Sequence, residues 1–413
     1  MLSPEQNTLL TQTSAGTPMG ELLRRYWWPI AGVSEFDEQP TKPVRLMGED
    51  LTLYKDKSGN YGLLDRHCPH RRADLTYGYI EECGLRCSYH GWHFDAEGNC
   101  LEQPYDDVAH PEANLKAQVK VKAYPVEECG GLLWAYLGPK PAPYLPRWEF
   151  FEWKNGFRQI VLSELDCNWL QCQENSIDPV HNEWQHSHWN RRMLGKNVTA
   201  PKHMKVGFEE FEYGYTYKRI TDVSGENDPL WTVGRVCLWP YALFTGTHVE
   251  FRVPVDDTNT LSIGWFYAHV PKERQPYEQN TIPTWNGPVR DPKTGRFLSS
   301  HIMNQDFIAW IGQGAIAQRD KEFLSTSDLG ISMIRRRFVK DLETVAAGGD
   351  PKAVIRDPSV ARNVKLPVAD RDGTMDGVGR RVEPGRTPIF PFQAGMPDSV
   401  KQEWDRAMGI AKA

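Results

Sequence analysis

Arg66-His67-Cys68-Pro69-His70-Arg71 and, further on, Cys87-Ser88-Tyr89-His90-Gly91-Trp92 are the two stretches around which the rest of the chain organises itself. Each holds one cysteine with a histidine just after it, as Cys-x-His in the first, where His67 also precedes the cysteine, and Cys-x-x-His in the second, with 16 residues between His70 and Cys87. Four soft or borderline ligands on two short loops describe a metal site. Zinc takes the same ligand set, but zinc fingers put both cysteines in one pair and both histidines in the other. Here each loop supplies one of each. That mixed order suits a cluster of two irons and two sulfides, with thiolates on one iron and imidazoles on the other, an arrangement that raises the potential. Pro69, Gly91 and Trp92 fit tight loops in which backbone N–H groups come close to sulfur, and glycine permits that approach.

Outward from these loops the text reads as short strands. Val44-Arg45-Leu46-Met47 and Leu51-Thr52-Leu53-Tyr54 come first, and a Ser58-Gly59-Asn60 turn leads into Tyr61-Gly62-Leu63-Leu64. The pattern runs on to Leu132-Leu133-Trp134-Ala135-Tyr136-Leu137, after which the stiff stretch Gly138-Pro139-Lys140-Pro141-Ala142-Pro143 separates domains. The spacing therefore predicts an all-β unit over 27–147. Ahead of it, Thr17 as N-cap and Pro18 at the first helical position predict a helix from Pro18 to Trp27.

Beyond residue 147 the signals are mixed. Leu165, Trp169 and Cys172 recur at helical spacing. His248 to Val255 and Leu261 to Val270 alternate as two strands around Asp256-Asp257-Thr258-Asn259. Ile331, Ile334, Phe338, Leu342 and Val345 form a helical stripe that stops at Gly348-Gly349. The class is α+β, with helices packed on an antiparallel sheet. The second domain takes residues 1–26 and 148–413, its core over 148–345 and a wrapping tail, rich in proline, glycine and charge, over 346–413.

At 413 residues the chain exceeds any single small binding module. Its 48 basic and 54 acidic side chains leave a net charge of −6, which advertises neither a nucleic-acid nor an anionic-membrane partner. No long apolar run is present, and polar residues break up the N-terminal 20 residues, so the expectation is a cytoplasmic protein without a membrane span. Eight cysteines are too sparse for a disulfide scaffold and point first to metal; Cys100, Cys129, Cys167, Cys172 and Cys237 are scattered and read as small apolar core residues.

A second metal pattern lies in Asn168-Trp169-Leu170-Gln171-Cys172-Gln173-Glu174-Asn175-Ser176-Ile177-Asp178-Pro179-Val180-His181, followed by His186. Asp178 before Pro179 is a helix start, which puts His181 in the first turn. His186, five residues on, stands about 140° further round an α-helix, so the helix must bend or break for both imidazoles to converge. Two histidines and an acid would suit iron(II) with open positions for dioxygen, although a surface helix carrying the same residues is an equal reading. Far downstream Asp306 sits four residues from both Ile302 and Trp310 on a strongly apolar helical stretch. A carboxylate there is buried and needs a cation, either a metal or an arginine such as Arg319.

Taken together, Cys-Pro-His-Arg with Cys-x-Tyr-His-Gly-Trp resembles the signature of Rieske aromatic ring-hydroxylating oxygenases, and Asn168 to His186, Gln305-Asp306 and Arg319 to Asp328 resemble their catalytic domain in the same order. The resemblance implies an N-terminal all-β Rieske domain and a helix-grip-like catalytic domain. It implies Cys68, His70, Cys87 and His90 as ligands of a [2Fe–2S] cluster, and gives His67, His93 and Cys83 no ligand role. It implies His181, His186 and Asp306 as ligands of a mononuclear iron(II), and Asp178 as the bridge between a neighbouring subunit's cluster histidine and an iron-ligating histidine. Thr17 to Gly20, Lys202 to Phe208 and Phe211 to Gly214 are similar to the phthalate-dioxygenase branch, which forms homotrimers without a second subunit type. Gln173 to Ser176 is closer to O-demethylases of lignin-derived methoxylated acids. The implied activity is that of a terminal oxygenase that uses O2 and, through a reductase or ferredoxin, NADH. The implied substrate is an aromatic acid, either O-demethylated to a phenol and formaldehyde or cis-dihydroxylated as phthalate or chlorobenzoate is. A substrate carboxylate calls for an arginine, and Arg219 and Arg235 are the candidates, with an ion pair as the alternative for each.

Overall fold

The computed structural model describes residues 1–187, 192, 195, 201–368 and 395–410. Ser3 caps the helix Pro4–Thr11 and Thr17 caps Pro18–Leu23, its Oγ1 accepting from the Gly20 N–H at 3.1 Å. This second helix stops at Leu23 instead of reaching Trp27. Trp28 precedes Pro29, and the residue before proline is driven to extended backbone, so the chain turns into the strand Trp27–Gly32. That strand pairs antiparallel with Leu132–Tyr136, and Val126–Cys129 flanks it.

Two four-stranded sheets fill the chain between. Thr41–Leu46, Glu49–Lys55, Tyr61–Asp65 and Ala123–Tyr124 make one. Tyr79–Ile80, Leu85–Arg86, His93–Phe94 and Cys100–Glu102 make the other, whose strands carry the second cysteine–histidine loop. Their own small core of Tyr54, Leu64, Leu75, Leu85 and Phe94 includes Cys68 and Cys87.

The second region is an eight-stranded sheet in the order His203–Phe211, Gly214–Thr221, Arg235–Leu238, Ala242–Phe244, His248–Pro254, Thr260–His269, Gly156–Leu165, Thr284–Asn286. Every pairing is antiparallel except the last, where Thr284–Asn286 runs parallel to Gly156–Leu165. Phe338 of the helix Leu329–Ala346 packs on Trp239 from the sheet and on Trp169 from the helix Trp169–Asn175. Fold class is therefore α+β, an N-terminal β region followed by an antiparallel sheet covered by helices. Among the described residues no helix is long and apolar enough to cross a membrane.

Two features tie distant parts together. Glu174 is buried, and its carboxylate accepts from Arg319 Nη2 at 2.8 Å and Arg335 Nε at 2.6 Å, while Arg319 Nη1 reaches Asn7 Oδ1 at 3.0 Å. The tail holds more order than its composition suggests: Asp398–Met408 is a helix, and Trp404 meets Phe157 edge to face at 5.4 Å. Its apolar face, Val400, Trp404, Ala407 and Met408, is buried against the sheet and the helix Ile302–Gly312. Residues 369–394 and 411–413 of the expected tail lie outside the described residues.

Trp404→Ala should cost about 3–5 kcal/mol in denaturant unfolding, the usual result of emptying a large aromatic site. Burial alone would raise the Glu174 carboxyl, but Arg319 and Arg335 hold it below the ordinary 4.5. A depressed carboxyl contributes stability above its unfolded pKa and loses it as pH falls through the folded one. Glu174→Gln should therefore cost about 3 kcal/mol near neutrality, by leaving two buried guanidiniums under-paired. The gap to the native chain should narrow below pH 4.5.

Candidate metal centres

The two cysteine–histidine loops are closed by their own backbones. Cys68 N–H donates to Ala73 O at 2.8 Å and Arg72 N–H returns to Cys68 O at 2.9 Å; Cys87 N–H donates to Trp92 O at 2.8 Å and Gly91 N–H to Cys87 O at 3.0 Å. Gly91 takes φ of 74°, a left-handed turn that glycine adopts without strain. The result separates the ligand types. Cys68 and Cys87 are buried, whereas His70 and His90 are exposed with ring centroids 4.5 Å apart. Trp92 stacks on His70 at 4.5 Å, and Tyr89 lies 3.8 Å from His90. Burial pushes the Cys68 thiol up, a hydrogen bond from the His70 backbone opposes it, and Cys87 beside it adds to the rise. Two thiols at the inner end and two imidazoles at the outer end fit a [2Fe–2S] group held by thiolate on one iron and histidine on the other. Cys83 and His93 stand apart, His93 Nε2 meeting the Cys83 carbonyl at 2.5 Å.

At the second site Asp178 performs the capping role expected of it, Oδ1 accepting from Val180 N–H at 2.8 Å and His181 N–H at 3.4 Å. Past His181 the backbone is neither a straight α-helix nor broken. Asn182–Ser187 is a π-helix, whose i→i+5 pattern stacks residues five apart on nearly one face. The His181 and His186 rings come to 5.4 Å. Asp306, only 4% exposed on the helix Ile302–Gly312, brings Oδ1 to 3.8 Å from His181 Nε2 and 3.5 Å from His186 Nε2. One ligand atom from each of the three lies within 4.8 Å of the others.

The surroundings orient both rings. His186 Nδ1 meets Gln305 Oε1 at 3.0 Å, and Gln305 Nε2 donates to Ser299 O at 3.0 Å, which fixes the amide as acceptor and turns His186 Nε2 toward Asp306. His181 Nδ1 lies 3.4 Å from Asp178 Oδ2, so its Nε2 also faces Asp306. Gln185 Nε2 donates to Asp306 Oδ1 at 2.6 Å and Asn175 Nδ2 at 3.5 Å. Burial pushes the Asp306 carboxyl up, while His186 and His181 pull the other way. A buried carboxylate converging with two Nε2 lone pairs fits a two-histidine, one-carboxylate iron site. Arg319 does not neutralise it, being committed to Glu174.

Both arginines proposed for substrate are buried. Arg219 donates Nε to Glu183 at 2.9 Å and Nη2 to Asn182 at 3.1 Å, so its fork is engaged on the π-helix. Arg235 opens the strand Arg235–Leu238, close enough that its charge helps keep His186 low, after burial as the main cause. Sequence reasoning missed Gln185 and Glu183, and took Gln305 and Asn175 only as parts of motifs, without a role at the site. Their signal is proximity alone, each lying within three residues of a ligand or of Asp178.

The family model for the Rieske [2Fe–2S] domain matches residues 26–125. The 5,5'-dehydrodivanillate O-demethylase oxygenase subunit of Sphingobium sp. (strain NBRC 103272 / SYK-6) is 56% identical over 417 aligned residues, covering 100% of this chain and 98% of the relative. The phthalate 4,5-dioxygenase oxygenase subunit of Pseudomonas putida is 32% identical, covering 84% of this chain and 88% of the relative. The solved structure of NdmB from Pseudomonas putida CBB5 superposes with a TM-score of 0.57 at 18% identity, over 83% of this chain and 95% of that one, which speaks to fold. With a matching Rieske domain and relatives of this length and identity, the chain belongs to the Rieske non-haem iron oxygenases, as their terminal oxygenase component.

Proposed function

We propose that this chain catalyses the O2- and NADH-dependent O-demethylation of a methoxylated, lignin-derived aromatic acid, with electrons from NADH arriving through a separate reductase, with or without a ferredoxin. The observation that carries the reading is the identity of more than half the residues, end to end, with an O-demethylase oxygenase subunit. Cys68 and Cys87 would hold one iron of the cluster and His70 and His90 the other; His181, His186 and Asp306 would hold the mononuclear iron. When bound, these groups supply one-electron transfer and dioxygen activation. The protein's own part is placement. His70 and His90 present an exposed edge for electron exchange, and Asp178 lies beside His181 with its carboxylate partly open to solvent. That pairing of an open edge with an open carboxylate supports a homotrimer in which one copy's His70–His90 edge meets Asp178 of the next. Burial of Asp306 and of the sheet face beneath it keeps bulk water from the reacting carbon. Hydroxylation of the methoxy carbon yields a hemiacetal that separates into formaldehyde and a phenol; the second oxygen atom leaves as water at the expense of NADH. All eight cysteines are free, which suits the reducing cytoplasm in which we place the protein.

A second reading is cis-dihydroxylation of an aryl carboxylate, favoured by the phthalate dioxygenase relative. The ligand sets serve either outcome and pocket shape decides.

Supplied with a reductase, NADH, O2 and a panel of methoxylated and unmethoxylated aryl acids, the enzyme should release one formaldehyde per NADH from a methoxylated acid. A cis-diol from an unmethoxylated acid, with no formaldehyde from any, would replace this reading by the second. Asp306→Ala should keep the cluster's visible spectrum and lose the third iron. Asp178→Asn should keep all three irons and slow turnover by about 10- to 100-fold.

A further inference from the structure

The π-helix that brings His181 and His186 together is an uncommon backbone form, and such turns persist where their surroundings impose them. Its fastening is visible. Glu183, buried on this turn, splits its carboxylate between two donors from the sheet: Oε1 accepts Arg219 Nε at 2.9 Å and Oε2 faces His203 Nε2 at 2.8 Å. The same guanidinium reaches back one residue to Asn182 Oδ1 at 3.1 Å. Arg219, 1% exposed, stands on the strand Gly214–Thr221, and His203 opens its neighbour His203–Phe211, the two strands being paired with Arg219 opposite Val206. Two consecutive residues of the ligand-bearing turn are thus held by two adjacent strands.

We infer that Arg219 is a positioning residue for the mononuclear iron, clamping Asn182 and Glu183 so that His181 and His186 keep their convergence, and that it is not the partner of a substrate carboxylate. This rests on the reading of His181, His186 and Asp306 as the iron ligands. The planar fork matters: one arm serves Glu183 and another Asn182, a division that lysine, with a single ammonium, cannot reproduce. A substrate carboxylate would meet a guanidinium that is almost wholly inaccessible and already paired with the buried Glu183, whose charge opposes a second anion there.

The test is iron affinity, measured without turnover. The mononuclear iron is removed by mild chelation under anaerobic conditions and Fe(II) is titrated back, with the cluster's visible spectrum as the check on folding. Arg219→Lys and Glu183→Gln should each weaken Fe(II) binding by about 10- to 100-fold. The double variant should be no worse than the poorer single, because both cut the same clamp. At saturating Fe(II) the KM for substrate should stay at the native value. Asn182→Ala leaves the buried ion pair whole and should show a smaller loss in the same direction; it decides the matter if the ion-pair variants do not hold their cluster. Native Fe(II) affinity in Arg219→Lys and Asn182→Ala would overturn the clamp, and a raised KM with native affinity would make Arg219 a substrate contact instead. If Asp306→Ala loses Fe(II) while the clamp variants retain it, the clamp alone fails. If the native chain takes up no third iron, the ligand reading fails and takes the clamp with it.

Discussion

A carboxylate taken out of water must find positive charge or enough donors, and the interior around the second site is arranged around that requirement. Glu174 has Arg319 and Arg335; Glu183 has Arg219 and His203; Glu250 has Arg252 Nη2 and His248 Nε2, both at 2.6 Å. Each of these acids is matched by a guanidinium within about a hydrogen bond's reach. Asp306 is as deeply buried, yet its ion-pair partners are the imidazoles of His181 and His186, with amide donors from Gln185 and Asn175. Burial holds the His186 imidazole low, whereas at His181 burial is outweighed by Asp178 and Asp306, which hold that imidazole up, so the two rings answer the same carboxylate differently. The three matched acids also hold the backbone that carries the ligands: Glu174 sits four residues before Asp178, Glu183 between the two histidines, and Glu250 on the strand beneath.

The two centres make opposite demands on the fold. A cluster that exchanges electrons needs an edge near the surface, and the small sheets provide it by burying the thiols while His70 and His90 stand outside. Dioxygen chemistry needs exclusion of water, and the eight-stranded sheet with its covering helices supplies a region in which the Asp306 carboxylate is nearly inaccessible. One is built on loops closed within a few residues, the other from a turn and a helix far apart in sequence, as the 119-residue separation of His186 and Gln305 shows.

That difference governs what could be read from the chain alone. The Rieske region was legible because the cysteine–histidine order and spacing lie within two hexapeptides, and because the hairpins around them follow local turn grammar. Asp306 was legible as a buried charge from its apolar neighbours, but its partner was not: a metal and an arginine such as Arg319 both stayed open, and the residues alone favoured the arginine, until tertiary structure gave Arg319 to Glu174. The π-helix was hidden because its widening is imposed from outside the segment, by Arg219 and His203 on strands that sequence periodicity places nowhere in particular. The parallel strand Thr284–Asn286 is three residues long and too short for alternation to show. The helix Asp398–Met408 was masked by the proline, glycine and charge ahead of it, although Val400, Trp404, Ala407 and Met408 have helical spacing once the segment is taken alone.

Arg219 was read from sequence in two ways, as a partner for a substrate carboxylate or as half of an ion pair, and the structure shows the ion pair, to Glu183. An arginine was sought because an aromatic acid calls for one, and Arg219 is a buried arginine bonded to the turn between His181 and His186. Its Nε and Nη2, however, already serve two residues of the protein, and the guanidinium is nearly inaccessible, so these contacts are the work the structure gives it. The same accounting separates groups that shape a site from groups that touch what enters it, and it is done in hydrogen bonds before it is done in charges.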